Sequence, residues 1–375
     1  MSYEAIKETL RSSDYDFLRT ERHLAPKKQT ILTNDGTEIG KGIILLGLGG
    51  SYAYGTNVPT SDIDVRGICL NSRDDILAGT VSDEHFEQVV NQATDTTIYS
   101  LNKIVNLMAD VNPNTIEMMG LDEDQYLYLS EEGRMLKDNA HIFLSKKCAH
   151  SFGGYANSQL YRLTQKSAHS MGQADLEKHI LKTIEFMQTD FNKTYSNMPG
   201  DAIKLYIDKA VQEGYDTEIF MDVKLTHYPL RDYCRLWNEL KNTVSSYGKI
   251  GKRNQKALEH DKIGKHMMHL VRLYLMCFDI LEKEQIITHR TKEHDMLMDI
   301  RNGKYVTENN DVRPEFFEMV NELEKHLQDS IKHTSLPDKP DYKKIRELVS
   351  EINLRVINGE AGRMEEYDSE EEKEL

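Results

Sequence analysis

The sequence predicts an α+β fold, a short mixed sheet with helices followed by a mostly helical region, and three observations carry that prediction. The first is the compact apolar run Gly42-Ile43-Ile44-Leu45-Leu46, partly β-branched and bounded by glycines, which suits a buried strand better than a helix. The second is Asp62-Ile63-Asp64-Val65-Arg66-Gly67-Ile68-Cys69-Leu70, which opens with the polar–apolar alternation of a strand. The third is the helical period of long segments beyond residue 146, such as Asp175 to Thr194 and Asp201 to Glu213.

In chain order, residues 1–40 read as a helix from Tyr3 to Leu18 and a polar loop whose Thr33-Asn34-Asp35-Gly36 is a turn signal. Residues 41–145 read as a mixed α/β unit, and 146–333 as a second, mostly helical domain. After Pro337-Asp338-Lys339-Pro340, residues 334–364 add one helix, Tyr342 to Ile357, which Gly359 and Gly362 end. Residues 365–375 carry seven acids against one lysine and read as a disordered, solvated tail.

At 375 residues with 39% hydrophobic content, the chain can bury a substantial core and is expected to make two domains. No apolar run approaches the ~20 residues that span a bilayer, and no basic-then-apolar leader opens the chain, so a cytoplasmic protein with no membrane partner is expected. Cys69, Cys148, Cys234 and Cys277 are widely spaced and make no zinc or disulfide pattern; reduced core thiols are expected.

The chemistry concentrates in one stretch. Glycines at 47, 49 and 50 allow positive φ and close backbone approach to an anion, with the Ser51 hydroxyl as a further donor. Eleven residues on, the strand period puts Asp62 and Asp64 on one face, where two carboxylates repel unless a cation lies between them. Hard oxygen ligands of this kind suit Mg²⁺ or Mn²⁺, with substrate phosphates completing the coordination, and the expected chemistry is in-line attack on phosphorus. Either feature alone is commonly a plain turn or a solvated acid pair.

The run GGSYAYGTNVPTSDIDVRG resembles the signature of the DNA polymerase β-type nucleotidyltransferase superfamily, and its Tyr54-Gly55 and Ser61-Asp62 pairs resemble the branch found in bacteria and phages and associated with RNA repair. The resemblance implies two metal ions and a third carboxylate from a later strand. Asp95 is the choice, because it opens a β-favouring segment and is followed by a helix and Asn112-Pro113-Asn114, the branch's order; Asp83, Glu84 and Glu87 compete with it. It implies a β- and γ-phosphate site at Gly50 and Ser51, and a cationic helix on which Lys265, His269 and Arg272 match the branch's pattern. Without the resemblance, that stripe is the wet face of an amphipathic helix. Arg301 and Lys304 match a further element, although both could simply answer a helix C-terminus capped at Gly303. The Phe152-x-x-Tyr155-Ala156 helix also matches, and packing is its simpler role.

A formal charge of −15 runs against nucleic-acid binding, yet Lys249 to Lys265 holds six basic residues against Glu259 and Asp261. That segment could equally serve a single triphosphate; the function the resemblance implies is metal-dependent transfer of a nucleotidyl group from a triphosphate, such as ATP, to a hydroxyl, with an RNA end as the acceptor. Nucleotidylylation of a protein or small molecule, and an inactive nucleotide-binding module, are the alternatives. Asp62, Asp64 and Asp95 would hold the metals, and the helical domain would close over the nucleotide.

Overall fold

The computed structural model describes residues 3–33, 35–90, 94–153, 156, 202–209, 211, 217–234, 237, 263–308 and 312–361. The fold is α+β, as expected. The chain divides into two compact units: the first comprises Met1–Asn157, Met268–Asp299 and Glu318–Leu375, the second Ser158–Met267 and Ile300–Phe317.

The first unit is built on a five-stranded sheet of β3 (Ile43–Leu48), β4 (Ile63–Cys69), β5 (His85–Val90), β6 (Thr94–Ser100) and β7 (Tyr126–Leu129), in the order β5-β6-β4-β3-β7; a small hairpin, β1 (Thr30–Leu32) and β2 (Glu38–Gly40), precedes it. β4 and β6 run parallel and every other neighbouring pair is antiparallel. Every residue of β3 is buried. Ile43, Leu46 and Leu48 of β3 and Ile63 and Val65 of β4 share a core with Ile6, Leu10 and Leu18 from the N-terminal helices, which leaves the alternate positions of β4 for the other face.

The N-terminal helix is shorter than predicted. It spans Tyr3–Leu10 and is followed by a turn at Ser13–Tyr15 and a separate four-residue helix, Phe17–Thr20. Ser12, Ser13, Asp14 and Asp16 supply the break, since short polar side chains compete with helical hydrogen bonding. The C-terminal helix, Tyr342–Asn358, follows the sequence closely: Asp341 caps it by accepting from Lys344 N–H, and Gly359 ends it at φ 75°. It is tied to the helix Glu131–Asp138 through Arg355, which pairs with Glu131 and, at 3.0 Å, with the fully buried Glu132.

In the second unit the described residues include an antiparallel hairpin of β8 (Ile203–Lys209) and β9 (Thr217–Val223), pairing Ile203 with Val223 and Lys209 with Thr217. This corrects the helix predicted over Asp201 to Glu213. Ile203, Leu205 and Ile207 alternate with Lys204, Tyr206 and Asp208, the period of a strand, and β9 completes the pairing. Gly264, near the start of the helix Ile263–Lys283, lies where a Cβ would meet the Arg301 carbonyl oxygen at 2.2 Å. The predicted helix Asp175 to Thr194, Tyr155, residues 249–262 of the basic segment and the tail 365–375 lie outside the described residues. Cys69, Cys148 and Cys277 are buried, but Cys234 is exposed and is not a core thiol. Among the described residues no helix is long and apolar enough to cross a membrane.

Candidate active site

The site lies on the face of the sheet opposite the N-terminal helices. Asp62 is exposed just before β4, Asp64 is half-buried within it, and Arg66 follows on the same face. Parallel pairing of β4 with β6 sets Asp64 directly against Asp95, and Arg66 against Thr97. Neighbouring strands lie about 4.8 Å apart, so the two carboxylates stand side by side. Of the competing acids, Asp83, Glu84 and Glu87 are all exposed; Glu87 lies on the edge strand β5 opposite Thr97, and its carboxylate pairs with His85 at 3.0 Å.

The glycines make room for this arrangement. Gly49 N–H donates to the Asp64 carbonyl at 2.8 Å, tying the turn to β4. Gly50 has φ +54°, and a Cβ there would lie 1.7 Å from Asp64 Oδ2. Gly50 also opens the four-residue helix Gly50–Ala53, in which Ser51 is almost buried. The turn is fastened beyond that helix by Gln125, whose amide donates to the carbonyls of Ala53 at 3.0 Å and Tyr52 at 3.2 Å.

Arg66 sits among acids. Its guanidinium donates to Thr97 Oγ1 at 2.5 Å and lies 3.6 Å from Asp95 Oδ1. Burial opposes its charge, but Asp95, Tyr99, Asp64 and Glu117 outweigh that and hold its pKa above the ordinary value. The Asp95 side chain keeps 46% of its surface exposed, against 19% for Arg66. Asp95 therefore remains open to a ligand from solvent while its charge is partly answered.

Behind this layer lies a buried polar cluster that sequence reasoning did not assemble. Tyr54 O–H donates to Glu117 Oε2 at 2.6 Å, and Arg272 Cζ lies 3.4 Å from the centroid of the Tyr54 ring. Arg272 Nη2 donates to His269 Nδ1 at 2.9 Å, and the Arg272 Nε is buried with no partner. Glu117 and Arg272 are each only 7% exposed. Burial pushes the Glu117 carboxyl above its ordinary range, against the pull of Arg272, the Tyr54 hydroxyl and Arg66, which favour its charged form. The sequence held a signal for Glu117, as a single acid inside the apolar Ile116-Glu117-Met118-Met119 that ends the Asn-Pro-Asn element.

The structure thus gathers Gly50, Ser51, Asp62, Asp64 and Asp95 around one strand pair, and His269 with Arg272 in one cluster within the same unit. Lys265, Arg301 and Lys304 belong to the second unit, where Lys265 and Lys304 are exposed. Among the described residues no three acidic, histidine or cysteine side chains converge as a ready metal-binding group. The donor set still fits a hard cation. Asp64 and Asp95 offer adjacent oxygens on one face, Asp62 stands two residues along the same face, and the absent Cβ of Gly50 leaves the space that Asp64 Oδ2 occupies.

Comparison with known proteins finds partial matches. Residues 25–187 match the family RlaP, described as an RNA repair pathway DNA polymerase beta family. An uncharacterized 38.9 kDa protein from the nrdC-mobD intergenic region of Enterobacteria phage T4 is 27% identical over 139 residues, covering 34% of this chain and 41% of that protein. The chain thus spans about two fifths of the length of that curated relative. No solved structure matches.

Proposed function

We propose that this protein, whose residues 25–187 match the RlaP family model, transfers the nucleotidyl group of a nucleoside triphosphate to an RNA end, with Mg²⁺ or Mn²⁺. The observation that supports it most is the register that pairs Asp64 with Asp95 beneath a turn whose Gly50 leaves no Cβ in the way.

Asp62, Asp64 and Asp95 are the residues that would hold the metal. A divalent cation bound there supplies Lewis-acid polarisation of the phosphoryl oxygens and favours the deprotonated acceptor hydroxyl. The chain's own groups do the remaining work. The N–H groups that open the helix at Gly50 and Ser51 orient the phosphates. Arg66 answers part of the acid charge, so that a polyanionic substrate can approach three carboxylates. Arg272, held on the Tyr54 ring, offers positive charge that needs no reorganisation as the reaction proceeds. Asp95, whose side chain is nearly half exposed, accepts the proton of the attacking hydroxyl.

The formal charge of −15 favours a second acceptor class, a protein or small-molecule hydroxyl, because a polyanion meets net repulsion. Incubation with α-labelled triphosphates, Mg²⁺ and either cellular RNA or cellular protein decides between them. Label in RNA, with binding that weakens steeply with salt, is the expected result. Label in protein alone would overturn the RNA assignment and keep the transferase. No label in any fraction would overturn both.

A further inference from the structure

Glu117 has a place in the site that packing does not explain. It lies on the short turn Glu117–Gly120, which follows the helix Pro113–Ile116 capped by Asn112. Its neighbours Ile116, Met118 and Met119 are buried apolar side chains, and an uncharged residue would fill the same space without the cost of burying a carboxylate. The carboxylate is instead kept and held: Tyr54 O–H donates to Oε2, and Thr288 Oγ1 fixes the backbone by donating to the Glu117 carbonyl at 2.8 Å.

Tyr54 is the link to the acid layer. It ends the glycine turn, is itself buried, and is held at its own carbonyl by Arg290 N–H at 3.2 Å. Its hydroxyl points to Glu117, while its ring carries Arg272. Glu117 also acts electrostatically on Arg66, the guanidinium between Asp95 and Thr97. Through Tyr54 the buried carboxylate is thus linked to the guanidinium on the long helix.

We propose that Glu117 is a positioning residue for nucleotidyl transfer, acting through Tyr54 to hold Arg272 at the geometry in which its charge meets the reacting phosphates. This rests on the transferase reading above. Because Glu117 is an anion near a site for an anion, its removal does not cost ground-state affinity: the loss of negative charge offsets the loosening of Arg272. The cost falls on turnover, where placement counts most. A side chain that only supported the fold would weaken binding and turnover together when removed.

The test is Glu117→Gln, which keeps the shape and still accepts from Tyr54, alone and in an Arg272→Ala background. Turnover is measured with the triphosphate that labels best, and affinity by calorimetry with its α,β-methylene analogue. The expected result is a fall in kcat of about tenfold or more with an unchanged or tighter Kd, shrinking to less than about twofold when Arg272 is absent, since coupled residues are non-additive. Unchanged kcat, a Kd that weakens in step with kcat, or an equal loss in both backgrounds would overturn the inference. Tyr54→Phe keeps the ring under Arg272 and removes only the hydroxyl, so it serves if Glu117→Gln fails to fold: a fall in kcat of about threefold with Kd unchanged is expected, and unchanged kcat would overturn the inference. A natural protein that does not bind the analogue would overturn this inference and the transferase reading together.

Discussion

The acid layer on β4 and β6 and the buried cluster of Tyr54, Glu117 and Arg272 are opposite solutions to the problem of keeping charge inside a fold. In the first, Asp62 is exposed and Asp95 stays nearly half exposed, so the carboxylates keep water and stay open to ligands. In the second, both charged side chains are about nine-tenths buried and both are held by one tyrosine. The contrast teaches that the acids at Asp62 and Asp95 are kept at the solvent edge while the Arg272 cation is enclosed. That division suits a reaction on a phosphate, in which mobile ligands arrive from solvent and preorganised charge meets them.

The comparison can be broken from the acid side with the largest effect. Gly50→Ala places a Cβ 1.7 Å from Asp64 Oδ2 at a residue with positive φ. Transfer should fall by about two orders of magnitude, as misplacement near the reacting atoms can. Thermal melting should register only the backbone strain, about 1–3 kcal/mol. Transfer within tenfold of the natural protein would mean that Asp64 is not held by this turn.

Attacking the cation side should cost less. Arg272→Lys keeps the charge but loses the planar group that lies on the Tyr54 ring and the fork that reaches His269, so a loss of about tenfold in kcat is expected. Equal activity would show that charge alone suffices. A control away from both regions sharpens the contrast. Arg355→Ala strands the fully buried Glu132 and should cost about 3–5 kcal/mol in denaturant melts, while transfer per folded molecule stays unchanged.

The smallest effect concerns pH. Glu117 has its folded pKa raised, so between the ordinary carboxylate range and that raised value the folded protein binds more protons than the unfolded one. Its ionisation then lowers stability as pH rises through that window, and the penalty is relieved as pH falls back. Glu117→Gln removes this dependence, so its melting temperature relative to the natural protein should rise with pH across the window. A difference that stays flat or runs the other way would count against the raised pKa.

Much of the fold was legible because its elements obey short-range rules. Ile43–Leu48 is apolar and glycine-bounded, Ile63–Cys69 alternates, and Tyr342–Asn358 carries its cap and its stop. The hairpin Ile203–Lys209 and Thr217–Val223 was missed because its alternation was read as helical period, and only the pairing between its strands settles the matter. In the site, the acids and the glycine turn stand close together in sequence and could be read. The direct opposition of Asp64 and Asp95 is a matter of register between strands 31 residues apart, which composition does not encode. Glu117 is 63 residues from Tyr54, and Arg272 lies on a different element again, so no local spacing announces their cluster.

Transfer of label from an α-labelled triphosphate in the presence of Mg²⁺, compared between the natural protein and Asp64→Ala at equal folded concentration, tests the central claim most directly. The account predicts robust transfer by the natural protein and a loss of at least about a thousandfold in the variant, whose melting curve stays cooperative. Transfer that survives in Asp64→Ala would contradict it.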